Sequence, residues 1–79
     1  MQLIIVTPEK KDKYEISWIE FNTPTGNYVI QPGHAPTILA LSPKKPFLYA
    51  LKNGKEEVIM IEHGVAEITR NQVIILLNE

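Results

Sequence analysis

Apolar positions along this chain come in short runs, and most of the runs alternate. Phe47, Tyr49 and Leu51 share one parity, with Leu48, Ala50 and Lys52 on the other. Glu57–Glu62 follows as a return run, with Val58 and Met60 opposed to Ile59 and Ile61. A period of two is the period of a β-strand. Gln2–Thr7 is β-branched and apolar, which suits a pleated surface. Glu15–Phe21 starts with Ile16 and Trp18 on one parity and ends with Ile19 and Phe21 on the other. A switch inside one strand predicts a bulge or burial on both faces. Val65–Thr69 and Gln72–Leu77 form a further pair across Arg70-Asn71. Val73–Leu77 is apolar on both parities, so the strand is expected to be buried on both faces or covered on one by something outside the chain.

Pro and Gly fall between these runs, at gaps of mostly six to twelve residues. That spacing is the rhythm of many short strands. Asn53-Gly54 predicts a tight type I′ hairpin turn. Ala35–Leu41 is fenced by Pro36 and Pro43, which leaves room for a strand or a short irregular turn. The pattern predicts one all-β domain over residues 1–79, a flattened antiparallel β-sandwich or barrel of about eight to ten short strands. Trp18 and Phe47 are expected in its core, Tyr28 and Tyr49 in the core or at an interface. Lys52, Lys55 and the prolines are expected to guard its edges.

Composition narrows the function. The net charge is −1, and Arg70 is the only arginine. Lys10, Lys11 and Lys13 are interleaved with Glu9, Asp12 and Glu15, so no cation cluster stands ready for a phosphate backbone, and no nucleic-acid partner is expected. The chain has no cysteine, which excludes disulfides, thiolate nucleophiles and thiolate zinc sites. No apolar run reaches the ~18 residues of a membrane span, and Leu3–Val6 is too short for a signal peptide. A cytoplasmic placement follows as the expectation.

Candidate chemistry is sparse. His34 lies in Pro32-Gly33-His34-Ala35-Pro36, a rigid turn that suits either a general base or a contact residue. No acid or serine stands close enough in sequence to complete a relay. His63 reads as a turn residue before Gly64, and it would form a metal pair with His34 only if the fold joined them. Glu56, Glu57 and Glu62 alternate with apolar residues and read as a solvent-facing set. Thr25-Gly26-Asn27 is too short and too poor in glycine to cradle a phosphate. No dinucleotide fingerprint, P-loop or nucleophile elbow is present. The residues themselves therefore point to a binding or structural module, without a catalytic site, cofactor or metal.

One block is more specific. Ile30-Gln31-Pro32-Gly33-His34-Ala35-Pro36 resembles a segment of the epsilon subunit of F-type ATP synthases. So do Ile5–Lys10, Gly64–Ile68 and Val73–Leu76, in the same order and at nearly the same spacing. The match is to the N-terminal β-sandwich domain and runs over essentially the whole chain. The resemblance implies a non-catalytic subunit of the rotor's central stalk. Such a subunit binds the gamma subunit, rests on the ring of c subunits, and helps couple proton or sodium flow to ATP synthesis. It implies a peripheral place on the cytoplasmic face of a bacterial cell membrane, with membrane contact only through the complex, and a monomer in isolation. It also implies roles by position: Asn27 and Tyr28 at the c ring, and His34, Ala35 and Pro36 at the gamma shaft.

The sequence departs from the family at three places. Asn27 stands where an acidic residue is usual, Val29 where a second glycine is usual, and His63-Gly64 where two glycines are usual. Family members commonly continue into a pair of C-terminal helices that can restrain hydrolysis or bind ATP. A chain ending at Glu79, directly after its last strand, is expected to lack both properties. Two other readings stand beside this one. The first is a free-standing β-sandwich protein-binding module, an adaptor or assembly factor outside the ATPase. The second is a small enzyme built around His34.

Overall fold

In the computed structural model, which describes residues 1–78, the predicted runs become eight strands and no helix. They are β1 (Gln2–Val6), β2 (Lys11–Thr23), β3 (Gly26–Ile30), β4 (Thr37–Ala40), β5 (Pro46–Leu51), β6 (Glu56–Met60), β7 (His63–Ile68) and β8 (Gln72–Asn78). The fenced segment after Pro36 is the strand β4. The strands are short except β2, which runs for 13 residues.

That length lets β2 serve two layers. Its first half pairs with β1, from Gln2 opposite Glu15 to Val6 opposite Lys11. Its second half pairs with β3 on one side and β5 on the other. Between the halves the register against β5 shifts at Ile16 to Trp18, which is the bulge the parity switch predicts. The extra residue lets Ile16 and Ile19 both point inward, and both are fully buried. The strand order β4-β7-β8-β1-β2-β5-β6, with β3 also on β2, is therefore one hydrogen-bonded path folded over at β2. The first sheet is β4-β7-β8-β1 with the start of β2. The second is β3, the end of β2, β5 and β6. All pairs are antiparallel except β1 and β8, which run parallel from Gln2 beside Gln72 to Val6 beside Leu76.

The core lies between the two sheets. Leu3, Ala66, Ile68, Val73 and Ile75 enter from the first; Ile19, Phe21, Ile30, Phe47 and Tyr49 enter from the second. Phe21 and Phe47 meet with ring centroids 5.9 Å apart, in a tilted arrangement.

Three local expectations change. Trp18 is only half-buried, because the bulge turns it to the outer side, beside Ala50. The Asn53-Gly54 turn is not type I′. The Gly54 N–H donates to the Leu51 carbonyl at 2.9 Å, and the Leu51 N–H donates to the Lys55 carbonyl at 2.8 Å. Gly54 alone in this turn has a positive φ, 93°. That pattern is a three-residue loop closed by a glycine bulge. Lys52 and Lys55 sit in that loop and not along an edge, so the edge strands β3, β4 and β6 carry neither lysine nor proline within them. Of the two outcomes expected for β8, burial on both faces does not occur. Val73, Ile75 and Leu77 are buried, whereas Leu76 on the other face is 52% exposed.

Candidate docking surface

The residues expected to make contacts sit at opposite ends of β3. At its start, the Thr23–Gly26 turn is held by the Thr23 hydroxyl, which donates to the Gly26 carbonyl at 2.8 Å. Asn27 follows on the outer side of the second sheet. Its Nδ2 donates to Glu20 Oε2 at 3.0 Å and to Asn22 Oδ1 at 3.3 Å. Tyr28 is exposed, and its hydroxyl lies 3.4 Å from Thr25 Oγ1. This tip is a small polar surface of amide and hydroxyl groups with one carboxylate, Glu20, behind it. Asn27 stands where the resemblance implies an acid, and it binds one already present on the neighbouring strand. Glu20 is a residue that sequence reasoning missed, since only the β2–β3 register brings it beside the loop.

At the far end of β3 the chain crosses from the second sheet to the first. The Gly33 N–H donates to the Arg70 carbonyl at 2.8 Å, which ties the crossing to the β7–β8 turn. Gly33 has φ 86°, a left-handed value that favours glycine. His34 Nδ1 lies 2.7 Å from the Ala35 carbonyl. A carbonyl only accepts, so Nδ1 carries the proton and the ring is fixed against its own loop. Ala35 and Pro36 are exposed. The histidines do not meet: His63 begins β7 and His34 lies beyond that strand's other end, at least the ~17 Å of its six residues away. No cluster of metal-ligating side chains occurs among the described residues.

The loop at His34 leads directly into an apolar face. Pro36, Thr37 and Ile38 line a shallow groove with Glu67, Ile68 and Thr69. From there the register lays two rows across the outer side of the first sheet. One row is Ala40, Val65, Leu76, Val6 and Lys11; the other is Ile38, Glu67, Ile74, Ile4 and Lys13. Ile38 is 69% exposed, and Val65 and Leu76 are exposed as well. The apolar second parity of Val73–Leu77 was the legible part of this surface. Ile38, Val65 and Val6 join it only through strand pairing.

The second sheet has its own outer strip. Val29, Glu20, Leu48 and Val58 form one row, and Met60, 66% exposed, lies in the next. Sequence reasoning missed it, although the double-parity apolar pattern of Glu57–Glu62 carried the signal.

The chain has known relatives in sequence and in fold. The family model of the ATP synthase delta/epsilon chain β-sandwich domain matches residues 1–79. ATP synthase epsilon chains of Acinetobacter baumannii and Acinetobacter baylyi are each 39% identical to the chain over 51 residues. That is 65% of this chain and 36% of the relative, so the match spans about a third of those proteins' length. Among solved structures, a chain of the Euglena gracilis mitochondrial ATP synthase in its OSCP/F1/c-ring assembly superposes with TM-score 0.84 and 20% identity. It covers 95% of this chain and 48% of that one. A chain of the Tetrahymena thermophila mitochondrial ATP synthase central stalk and c ring superposes with TM-score 0.82 and 21% identity, over 100% and 63%. At such identity these two likenesses establish the fold. With a family match along its entire length and a β-sandwich beneath it, the chain belongs to the family of ATP synthase delta/epsilon chain β-sandwich domains.

Proposed function

We propose that this chain is a non-catalytic central-stalk subunit of an F-type ATP synthase, helping to couple proton or sodium transport to ATP synthesis. The observation that carries the reading is the family match over residues 1–79. Its surface suits the role. A stalk subunit must hold a shaft and a ring at once, and the chain offers two contact regions at opposite ends of β3. His34, Ala35 and Pro36, continued by the exposed apolar face at Ile38, Val65 and Leu76, form the gamma-facing region. A loop fenced by prolines and tied at Gly33 has little conformational entropy left to lose on docking. Asn27 and Tyr28, on the polar tip, form the region that meets the c ring. Membrane attachment is then peripheral, through the complex and on the cytoplasmic face. No helix among the described residues is long and apolar enough to cross a membrane.

The test is a pull-down of the tagged chain from mild-detergent membrane extracts of the source cells, read by mass spectrometry. Gamma and the catalytic hexamer should be recovered together. An Ile38→Asp chain should lose at least about tenfold of that recovery, since a charge then enters an apolar contact. Recovery without any ATPase subunit, from extracts in which the ATPase is intact, would overturn the reading in favour of a free-standing binding module.

A further inference from the structure

We infer that Asn53 is a self-modification site gated by the β5–β6 loop: its side-chain amide is lost to ring closure on the Gly54 backbone nitrogen only while that loop is open. The inference rests on the geometry of the loop and is independent of the stalk assignment. Asn53 is the only asparagine of the chain that precedes a glycine; Asn22, Asn27, Asn71 and Asn78 precede Thr23, Tyr28, Gln72 and Glu79. A glycine has no Cβ to screen its own nitrogen, and its backbone reaches conformations closed to other residues. Asn53 and Gly54 are both exposed, so water has access to the reacting groups.

The chemistry needs no cofactor. The Gly54 nitrogen gives up its proton and bonds to Cγ of Asn53. The Cγ–Nδ2 bond breaks, and the amide nitrogen leaves with that proton as ammonia. The product is a five-membered imide. Water then adds to one of its two carbonyls and breaks the bond from that carbon to nitrogen. Opening at Cγ gives an ordinary aspartate. Opening at the main-chain carbonyl gives an isoaspartate, in which the chain runs through Cβ and Cγ. In sum one water enters and one ammonia leaves, with no oxidation or reduction, and either product adds one negative charge.

The closed loop opposes the first step in two ways. The Gly54 N–H donates to the Leu51 carbonyl at 2.9 Å, so the attacking nitrogen is engaged. The Lys55 N–H donates to Asn53 Oδ1 at 2.9 Å, which holds the side-chain amide toward Lys55. The backbone adds a third obstacle. Asn53 is the third residue of the Leu51–Gly54 turn, and in a type I turn that position has ψ near 0°. An imide ring places Cβ, Cα, the carbonyl carbon and the next nitrogen in one plane, about a third of a turn from there. Ring closure therefore requires the Asn53–Gly54 peptide to rotate, and that rotation breaks the bond to Leu51.

Opening is local. Strand β6 is an edge strand, and Lys52–Lys55 are exposed, so the loop can open without disturbing the core. Loss of two net hydrogen bonds makes the open loop about 30-fold less populated than the closed one. Global unfolding is rarer, at least about 1,000-fold disfavoured. The two products also differ. Aspartate keeps an acceptor for the Lys55 N–H, now a charged one. Isoaspartate puts one more backbone atom between Cα of residue 53 and Gly54, which the turn closed by the Gly54–Leu51 bond does not accommodate.

The test follows the purified chain at mildly alkaline pH, folded and in unfolding guanidinium, by peptide mass spectrometry that reads replacement of NH2 by OH at each asparagine. In the unfolded chain Asn53 should convert fastest of all. In the folded chain its conversion should be slower by about 30-fold. Guanidinium below the unfolding transition should leave the folded rate within about twofold, as local opening requires. Gly54→Ala supplies the second variant. A Cβ there meets nothing within 4 Å, so its effect comes from the φ of 93° alone. The ratio of unfolded to folded rate, taken within each variant so that the intrinsic rate cancels, should fall about fivefold in Gly54→Ala. A wild-type ratio under about threefold overturns the inference, since two hydrogen bonds would then guard nothing. So does a folded rate that climbs in step with global unfolding, a ratio that Gly54→Ala leaves unchanged, or another asparagine that converts faster in the unfolded chain.

Discussion

Single residues in this domain carry the consequences of a small core. Tyr49 is buried between Phe47 and Tyr14, with ring centroids 6.4 and 5.5 Å away. Burial pushes its phenol up to about 12, and the nearby Tyr14 and Glu57 push the same way. The raised value sets the sign of a pH effect. Below pH ~10 the phenol is protonated in both folded and unfolded chains, and its full contribution is present. Above pH ~10 the unfolded chain releases the proton while the folded chain still holds it, so stability falls as pH rises toward 12. By pH 11 the loss should be about 1.4 kcal/mol. Urea unfolding of the wild type and Tyr49→Phe at pH 9 and pH 11 checks this: the gap between the two should shrink by about that amount. An unchanged gap would place Tyr49 in a wetter site than the structure shows. Tyr49 was legible as a core or interface residue from its parity. The direction of its titration was not, because it follows first from burial between the sheets and then from Tyr14 on β2 and Glu57 on β6, all set by packing.

Elements constrain one another through close approach. Gly64 on β7 lies opposite Leu77 on β8. A Cβ built on Gly64 would sit 2.8 Å from Leu77 Cδ2 and 3.2 Å from the Leu76 carbonyl oxygen. The resemblance implies two glycines where the chain has His63-Gly64, and the glycine present is the one pressed against β8. His63 points to the other side and is exposed. Gly64→Ala should cost about 1–3 kcal/mol in urea unfolding, through displacement of Leu77 and strain against β8. In Leu77→Ala chains the same change should cost less, because the contacting methyl is gone. Additive costs would show that the side chain is not the obstacle. The sequence places the β7–β8 hairpin correctly, since turn residues and alternation are local signals. It does not show that Gly64 is there for space, which is a property of the strand beside it.

For the whole molecule, the two sheets share one core and nothing replaces it. Phe21 enters from β2 fully buried and packs on Phe47 from β5. A domain of this size has a total stability of only about 4–12 kcal/mol. Phe21→Ala should remove about 3–5 kcal/mol of it and lower Tm by about 15 °C or more. A fall of under 5 °C in thermal unfolding would mean that the core closes over the missing ring. The outer faces are the counterpart of this economy. In so thin a sandwich every strand is near the surface on one side. Residues that alternation sends away from the core, such as Ile38, Val65, Leu76 and Met60, then meet water unless a partner covers them.

The sequence by itself determined what depends on near neighbours in the chain. Period-two alternation specified strands, Pro and Gly specified where they stop, and the parity switch at Ile16–Ile19 narrowed β2 to a bulge or burial on both faces, of which the register shift against β5 is the bulge. The Pro32–Pro36 block is specific enough to point to the family by its residues alone. Tertiary structure alone decided what depends on distant segments meeting. It set β1 parallel to β8 and turned Trp18 outward. It placed Asn27 beside Glu20 and joined Ile38, Val65, Leu76 and Val6 into one face. The physical reason is that alternation states that a residue faces one side of its strand, whereas strand pairing decides which other residues share that side and whether another sheet lies over it.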